Sequence, residues 1–139
     1  MTAIFFFAAN VKRAKAYALF GLGLVNFAVG NAEAREHLLH SLRLRQEIGE
    51  QPEQVSNLIG MAVLVLQAGH PQFAAQLLGA ATSALKVLNA VMEPFIKPFH
   101  AQTLAAVREQ LSEAAFQSAW EEGSQWSLGE AVKRALGEG

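Results

Sequence analysis

An all-α chain is predicted by three observations: strong helix formers dominate, the runs rich in Ala, Leu and Glu recur at helical spacing instead of alternating, and the chain repeats itself. Proline is scarce, at 4 of 139 residues. The repeat shows in Gly30 and Gly69, 39 residues apart, each following a long apolar helix and each preceding a helix with an early alanine, Ala34 and Ala74.

The first helix is expected from about Ala9 to Val29, stopped by Gly30, with Asn31 placed to cap the next helix. The second runs from about Ala32 to Ile48, carries Ala34, Leu38 and Leu42 on one face, and ends at Gly49. Pro52 suits the opening turn of a third helix, with Glu53 at its positive end and Val55, Ile59, Ala62 and Leu66 down one side. Gly69 closes it, and Pro71 opens a fourth whose Phe73, Ala74, Leu77, Leu78, Ala81, Leu85 and Leu88 form a broad apolar stripe. This pattern amounts to two tandem hairpins over residues 9–90. Glu93-Pro94 and Lys97-Pro98 then mark a joint, since proline disfavours helix in the residue before it. Beyond it come a fifth helix from about Phe99 to Gln110, a sixth capped by Ser112 and ended by Gly123, and a seventh opened by the Ser127…Glu130 capping-box spacing. Residues 91–139 read as a cap over the last apolar face of the stack, with Phe116, Trp120, Leu128 and Val132 expected to be buried.

Length and composition set the outer limits. A chain of 139 residues and 15.0 kDa fits one domain, 1–139, and 52% hydrophobic against 17% charged residues demands folding or association. Eleven basic against 12 acidic residues leave no positive field for a phosphate backbone, so direct binding to nucleic acid is not expected. The absence of cysteine removes disulfides, a thiol nucleophile and thiolate metal sites, and points to a cytoplasmic setting. No uninterrupted apolar run is long enough for a membrane span, because Lys12, Arg13 and Lys15 end the first and Asn26 breaks the second. Met1 to Phe7 remains an apolar start with no obvious cover, and a homodimer formed through it is one expectation.

The first hairpin, with Leu22-Gly23, Gly30-Asn31, Ala34, Leu38 and Ser41, resembles a tetratricopeptide repeat, with Ser41 standing where that family prefers alanine. The second copy has Gly60 or Ala62, Gly69, Ala74, Leu78 and Ala81 in the corresponding places. The series Leu77-Leu78-Gly79-Ala80-Ala81, Glu113-Ala114-Ala115-Phe116, Trp120-Glu121-Glu122-Gly123 and Ser127-Leu128 with Glu130-Ala131-Val132 resembles the C-terminal tetratricopeptide region of LuxR-type transcriptional regulators and related signal-transduction ATPases. The resemblance spans roughly Ala16 to Leu136. It implies a short right-handed superhelix with a C-terminal helical cap, serving as a sensor or assembly module. No phosphate-binding Gly-Lys-Ser/Thr loop accompanies it.

Sharper chemistry finds little support. Gly21-Leu22-Gly23 lies in a helical pattern without a preceding strand, so both are read as packing glycines. His37 and His40 share a helix face with Glu33 and Glu36 nearby, but no third strong ligand completes a metal site. The serines sit in helices and caps, Glu121 and Glu122 point about 100° apart, and the sixth and seventh helices are too acidic for a DNA-reading pair. No catalytic residue, cofactor or metal is expected. The surface candidate is the wall formed by the first helix of each pair: Tyr17, Phe20, Leu24 and Phe27 on one stripe, Ile59, Val63 and Leu66 on the other. Core packing is the ordinary explanation of such stripes; the functional one is an apolar groove that receives a protein or peptide partner. A second function class is a small-molecule sensor holding an apolar ligand between helices.

Overall fold

Each helical pair turns on a residue that can adopt a left-handed backbone. Gly30 (φ 75°) closes the first long helix and Gly69 (φ 92°) the third, so both helical pairs are joined by the same backbone device. The computed structural model describes residues 2–138. Among them lie seven α-helices, one 3-10 turn and no strand: α1 (Thr2–Ala28), α2 (Ala34–Ile48), α3 (Gln51–Gln67), α4 (Pro71–Leu88), the 3-10 turn Pro94–Ile96, α5 (Lys97–Gln110), α6 (Glu113–Ser124) and α7 (Leu128–Ala135). Pro52 and Pro71 occupy the first turns of α3 and α4, where the missing N–H would have no helical partner anyway. The first helix begins much earlier than the periodicity predicts, because Ile4 to Ala9 continue α1 without a break.

α1 packs on α2, and α3 on α4. In the first pair Gly23 is buried beneath Leu38, and a Cβ there would lie 2.6 Å from Leu38 Cγ. Ser41 is also fully buried, and its hydroxyl donates to the Ala16 carbonyl across the pair at 2.7 Å, which explains how a polar residue holds that position. Gly21, by contrast, is exposed and a Cβ there would meet nothing, so only Gly23 packs in the way read from sequence. In the second pair Ala62, Ala74 and Leu78 are buried at the places corresponding to Gly23, Ala34 and Leu38. Lys12–Glu47 (3.1 Å) ties α1 to the far end of α2, and Arg13–Glu50 (2.7 Å) ties it to the residue that precedes α3. Both are surface pairs, worth at most about 1 kcal/mol each.

The tail does not add a third hairpin. α5 lies against α3 and α4, α6 crosses α4, and α7 covers α3 and α4. The α4–α6 crossing brings backbones together: a Cβ on Gly79 would collide with the Trp120 backbone, and one on Gly123 with the Gln76 backbone. Gly123 is therefore a packing residue in the last turn of α6, which ends one residue later at Ser124. Ser112 and Ser127 accept from the Ala115 and Glu130 amides at 3.1 Å, as their cap positions predict. Phe116 and Val132 are buried, whereas Trp120 and Leu128 are half-buried. Trp126, which helical periodicity does not single out because it lies between α6 and α7, is buried with Arg134 stacked 4.3 Å from its ring centroid.

Alanine at a helical glycine ordinarily stabilises by about 1 kcal/mol. At Gly79 or Gly123 the sign reverses: each Gly→Ala variant is expected to lose about 3 kcal/mol of unfolding free energy through overpacking, read from urea midpoints at unchanged slope. Gly21→Ala, which meets nothing within its own chain, keeps the ordinary gain in the stability of the single chain.

Candidate partner-binding groove

α3 lies beneath the candidate groove, reaching one of its depressions through Val63 and Leu66, while Phe20 of α1 forms the floor of the other. From Gln54 to Val63 every residue is buried, as expected of a helix surrounded on all sides. Burial of that run includes three polar side chains, and each has a partner. Gln54 donates to the Arg45 carbonyl at 3.2 Å, Ser56 donates to Glu93 Oε1 at 2.6 Å, and Asn57 donates to the Leu38 carbonyl at 3.3 Å. Asn57 Oδ1 in turn accepts from Arg45 Nη1, which also donates to the Glu53 carbonyl at 3.2 Å.

Arg45 is the unexpected member of this core, 2% exposed, with Nε buried and unpartnered. Desolvation pulls its pKa below the ordinary value, opposed by the fields of Glu93, Glu50 and Glu53. Its guanidinium lies 4.9 Å from the Phe20 ring centroid, and Phe20 meets Phe95 edge-on at 5.7 Å. Phe20 is thus clamped between a cation below and an aromatic edge above. Sequence reasoning passes over Arg45 because an arginine near the end of an amphipathic helix reads as solvated.

Above this floor, α1 and α5 form two walls. One depression of about 330 Å³ is lined by Tyr17, Phe20, Gly21, Leu24, Val25, Ala28, Phe95 and Phe99; a second of about 400 Å³ is lined by Phe27, Val63, Leu66 and Phe99 together with the polar Gln67, Gln102, Thr103 and Gln110. Phe99 lines both, so the two depressions adjoin at its ring and together make up the candidate groove. No charged residue lines either part. Of the seven residues expected from sequence, Tyr17 stands exposed at the rim, Phe27 and Leu66 are half-buried in the wall, and Leu24 and Val63 show only an edge. Phe20 is the floor at 1% exposure. Ile59, at 0%, lies in the core and reaches neither depression. The periodicity argument finds the α1 and α3 sides and misses Phe95 and Phe99, because the joint after Ala90 carries no repeat from which their direction can be read.

The histidines separate. His37 Nδ1 lies 2.7 Å from the Asn26 amide nitrogen, and His40 is exposed. His100, beside Phe99 on α5, buries Nε2 without a partner, and desolvation lowers its pKa below the ordinary 6.5. Compared with known proteins, the chain matches no family model, no curated protein and no solved structure.

Asn57→Ala leaves a buried guanidinium short of an acceptor and should cost about 3 kcal/mol by urea unfolding, whereas Arg45→Met with Asn57→Leu removes charge and partner together and should recover most of that loss. His100 is folded preferentially in its neutral form, so its contribution is complete above the unfolded pKa of 6.5 and is lost as pH falls below it. The urea midpoint should therefore drop between roughly pH 7.5 and roughly pH 5, and His100→Gln should flatten that drop.

Proposed function

We propose that this chain is a non-catalytic protein-interaction module of the tetratricopeptide type, built from two stacked helical hairpins and a helical cap, whose α1/α5 groove receives an apolar segment of a partner protein. The observation that carries the reading is an uncharged, aromatic-stepped groove held over a rigid floor. An amphipathic helix or extended peptide is recognised by such a surface through a few large side chains entering depressions spaced along it. The 39-residue offset between Gly30 and Gly69 and the matching burial of Gly23 and Ala62 support the repeat assignment. The resemblance to the C-terminal region of LuxR-type regulators and signal-transduction ATPases supports a role in a bacterial regulatory system in the cytoplasm, with no chemistry and no cofactor of its own.

Tyr17 at 61% and Phe95 at 41% exposure leave the first depression open to water. Such a groove suits a peptide better than a small apolar molecule, which is normally enclosed over most of its surface.

The test separates wall from floor. Phe27→Ser and Phe99→Ser, singly and together, are expected to abolish capture of the partner from the native host while leaving helical circular dichroism intact. Phe20→Ala, a floor substitution, is expected to lose about 3–5 kcal/mol of stability. Partner capture undiminished in the Phe27→Ser/Phe99→Ser double variant sinks the groove.

A further inference from the structure

The face of α1 turned away from α2 carries a second pattern. α1 is 27 residues long, and only Ala16, Phe20, Gly23 and Leu24 are buried. On its other side, Ile4, Val11, Ala18 and Val25 recur every seven residues. Phe7, Ala14, Gly21 and Ala28 recur in step, three residues after each. All eight are exposed, with Ile4 at 69%, Phe7 at 71%, Val11 at 51% and Val25 at 58%. Apolar or small residues spaced three and four apart over roughly four heptads satisfy the spacing of a coiled-coil seam, here with Ala or Gly at Ala14, Ala18, Gly21 and Ala28 so that two helices can approach closely. At 1.5 Å per residue the seam runs roughly 40 Å.

We infer that this stripe docks against the same stripe of a second copy of the chain, in antiparallel orientation. The size pattern selects the orientation. In an antiparallel coiled coil each residue of the first set meets one of the second, so full overlap sets Ile4 against the partner's Ala28, and Phe7 against the partner's Val25. Val11 then meets the partner's Gly21, and Ala14 the partner's Ala18. Three of these four layers place a larger side chain opposite a smaller one, and the fourth lets the helices approach closely, which is how a seam reaches native packing density. A parallel pair would stack Phe7 on Phe7 and Gly21 on Gly21, splaying the helices at one end and leaving voids at the middle. Charge opposes the contact at one place: Lys12 and Arg13 are turned to Glu47 and Glu50 of their own chain, which leaves Lys15 beside the stripe. Near the two-fold axis Lys15 approaches its own mate, so association tightens as salt screens the two ammonium groups.

The C-terminal third of the seam, at Gly21, Val25 and Ala28, also lines the first depression of the α1/α5 groove, so a second copy seated there covers that depression, whereas the seam positions from Ile4 to Ala18 line neither depression. The inference does not rest on the groove's function, and substitutions at Val11 and Ala18 test it without touching the groove. The experiment uses the full chain. Sedimentation and light scattering at micromolar concentration are expected to give twice the 15.0 kDa chain mass, and Val11→Lys with Ala18→Lys to return it to one chain with unchanged circular dichroism. Phe27→Ser, in the groove wall, should leave the dimer intact. Orientation is read from cysteines introduced into a chain that has none. Under oxidation Ile4→Cys protein mixed with Ala28→Cys protein should cross-link, while Ile4→Cys protein alone should not. A single-chain mass for the unaltered protein overturns the inference, and so does cross-linking of Ile4→Cys protein with itself. A dimer that survives both lysines overturns it as well, as does a single chain that co-sediments with phosphatidylserine vesicles, which would assign the stripe to a lipid surface.

Discussion

α3 has no face left for water along the run from Gln54 to Val63, and that constraint organises the molecule. A helix surrounded on all sides needs neighbours in every direction, and α2, α4, α5 and α7 each supply one. The apolar share of the requirement is met by Val55, Leu58, Ile59, Met61 and Ala62, whose burial contributes on the order of 1.5–3 kcal/mol for each large side chain. The polar share is stricter, because a buried amide or hydroxyl without a partner costs about as much as a buried leucine gives. Gln54, Ser56 and Asn57 are therefore all bonded to groups on neighbouring segments, and those bonds fix the register of α2 and of the segment carrying Glu93 against α3.

Arg45 ties this core to the surface above it. A buried guanidinium bonded to Asn57 and the Glu53 carbonyl, and stacked against Phe20, makes the position of Phe20 depend on the polar network as well as on packing. A hydrophobic replacement of the same volume would often be as stable or more so. What the charge adds is directionality: hydrogen bonds hold one arrangement of α2 on α3, and through the Phe20–Phe95 contact that arrangement carries to the joint before α5. A groove floor held in this way offers a partner a preformed surface, which lowers the ordering cost of binding.

α1 then works on two sides. Its inner side joins α2 through Gly23 and Ser41 and gives Phe27 to the groove, while its outer side bears the heptad stripe. A helix apolar around its whole circumference belongs in an interior. α1 has an interior on one side only, so the apolar residues of its outer face are left exposed.

The helical class, the two helical pairs, the caps at Ser112 and Ser127 and the placement of Pro52 and Pro71 were all legible in the sequence, since each depends on spacing within a few residues along one helix. The same local logic found Tyr17, Leu24, Phe27, Val63 and Leu66 near the groove. It could not rank Phe20 and Ile59 as floor and core, because periodicity gives the direction of a side chain and not what lies in that direction. Phe95, Phe99 and Trp126 escaped it because they sit in or next to joints, where no period exists. Gly123 read as a terminator and proved to be a contact, because a glycine looks the same in a turn as under a crossing helix. Arg45 shows the limit most clearly. An arginine on an amphipathic helix is solvated unless another helix closes over it, and whether α3 does so is decided by contacts between residues 12 positions apart, which only the assembled chain contains.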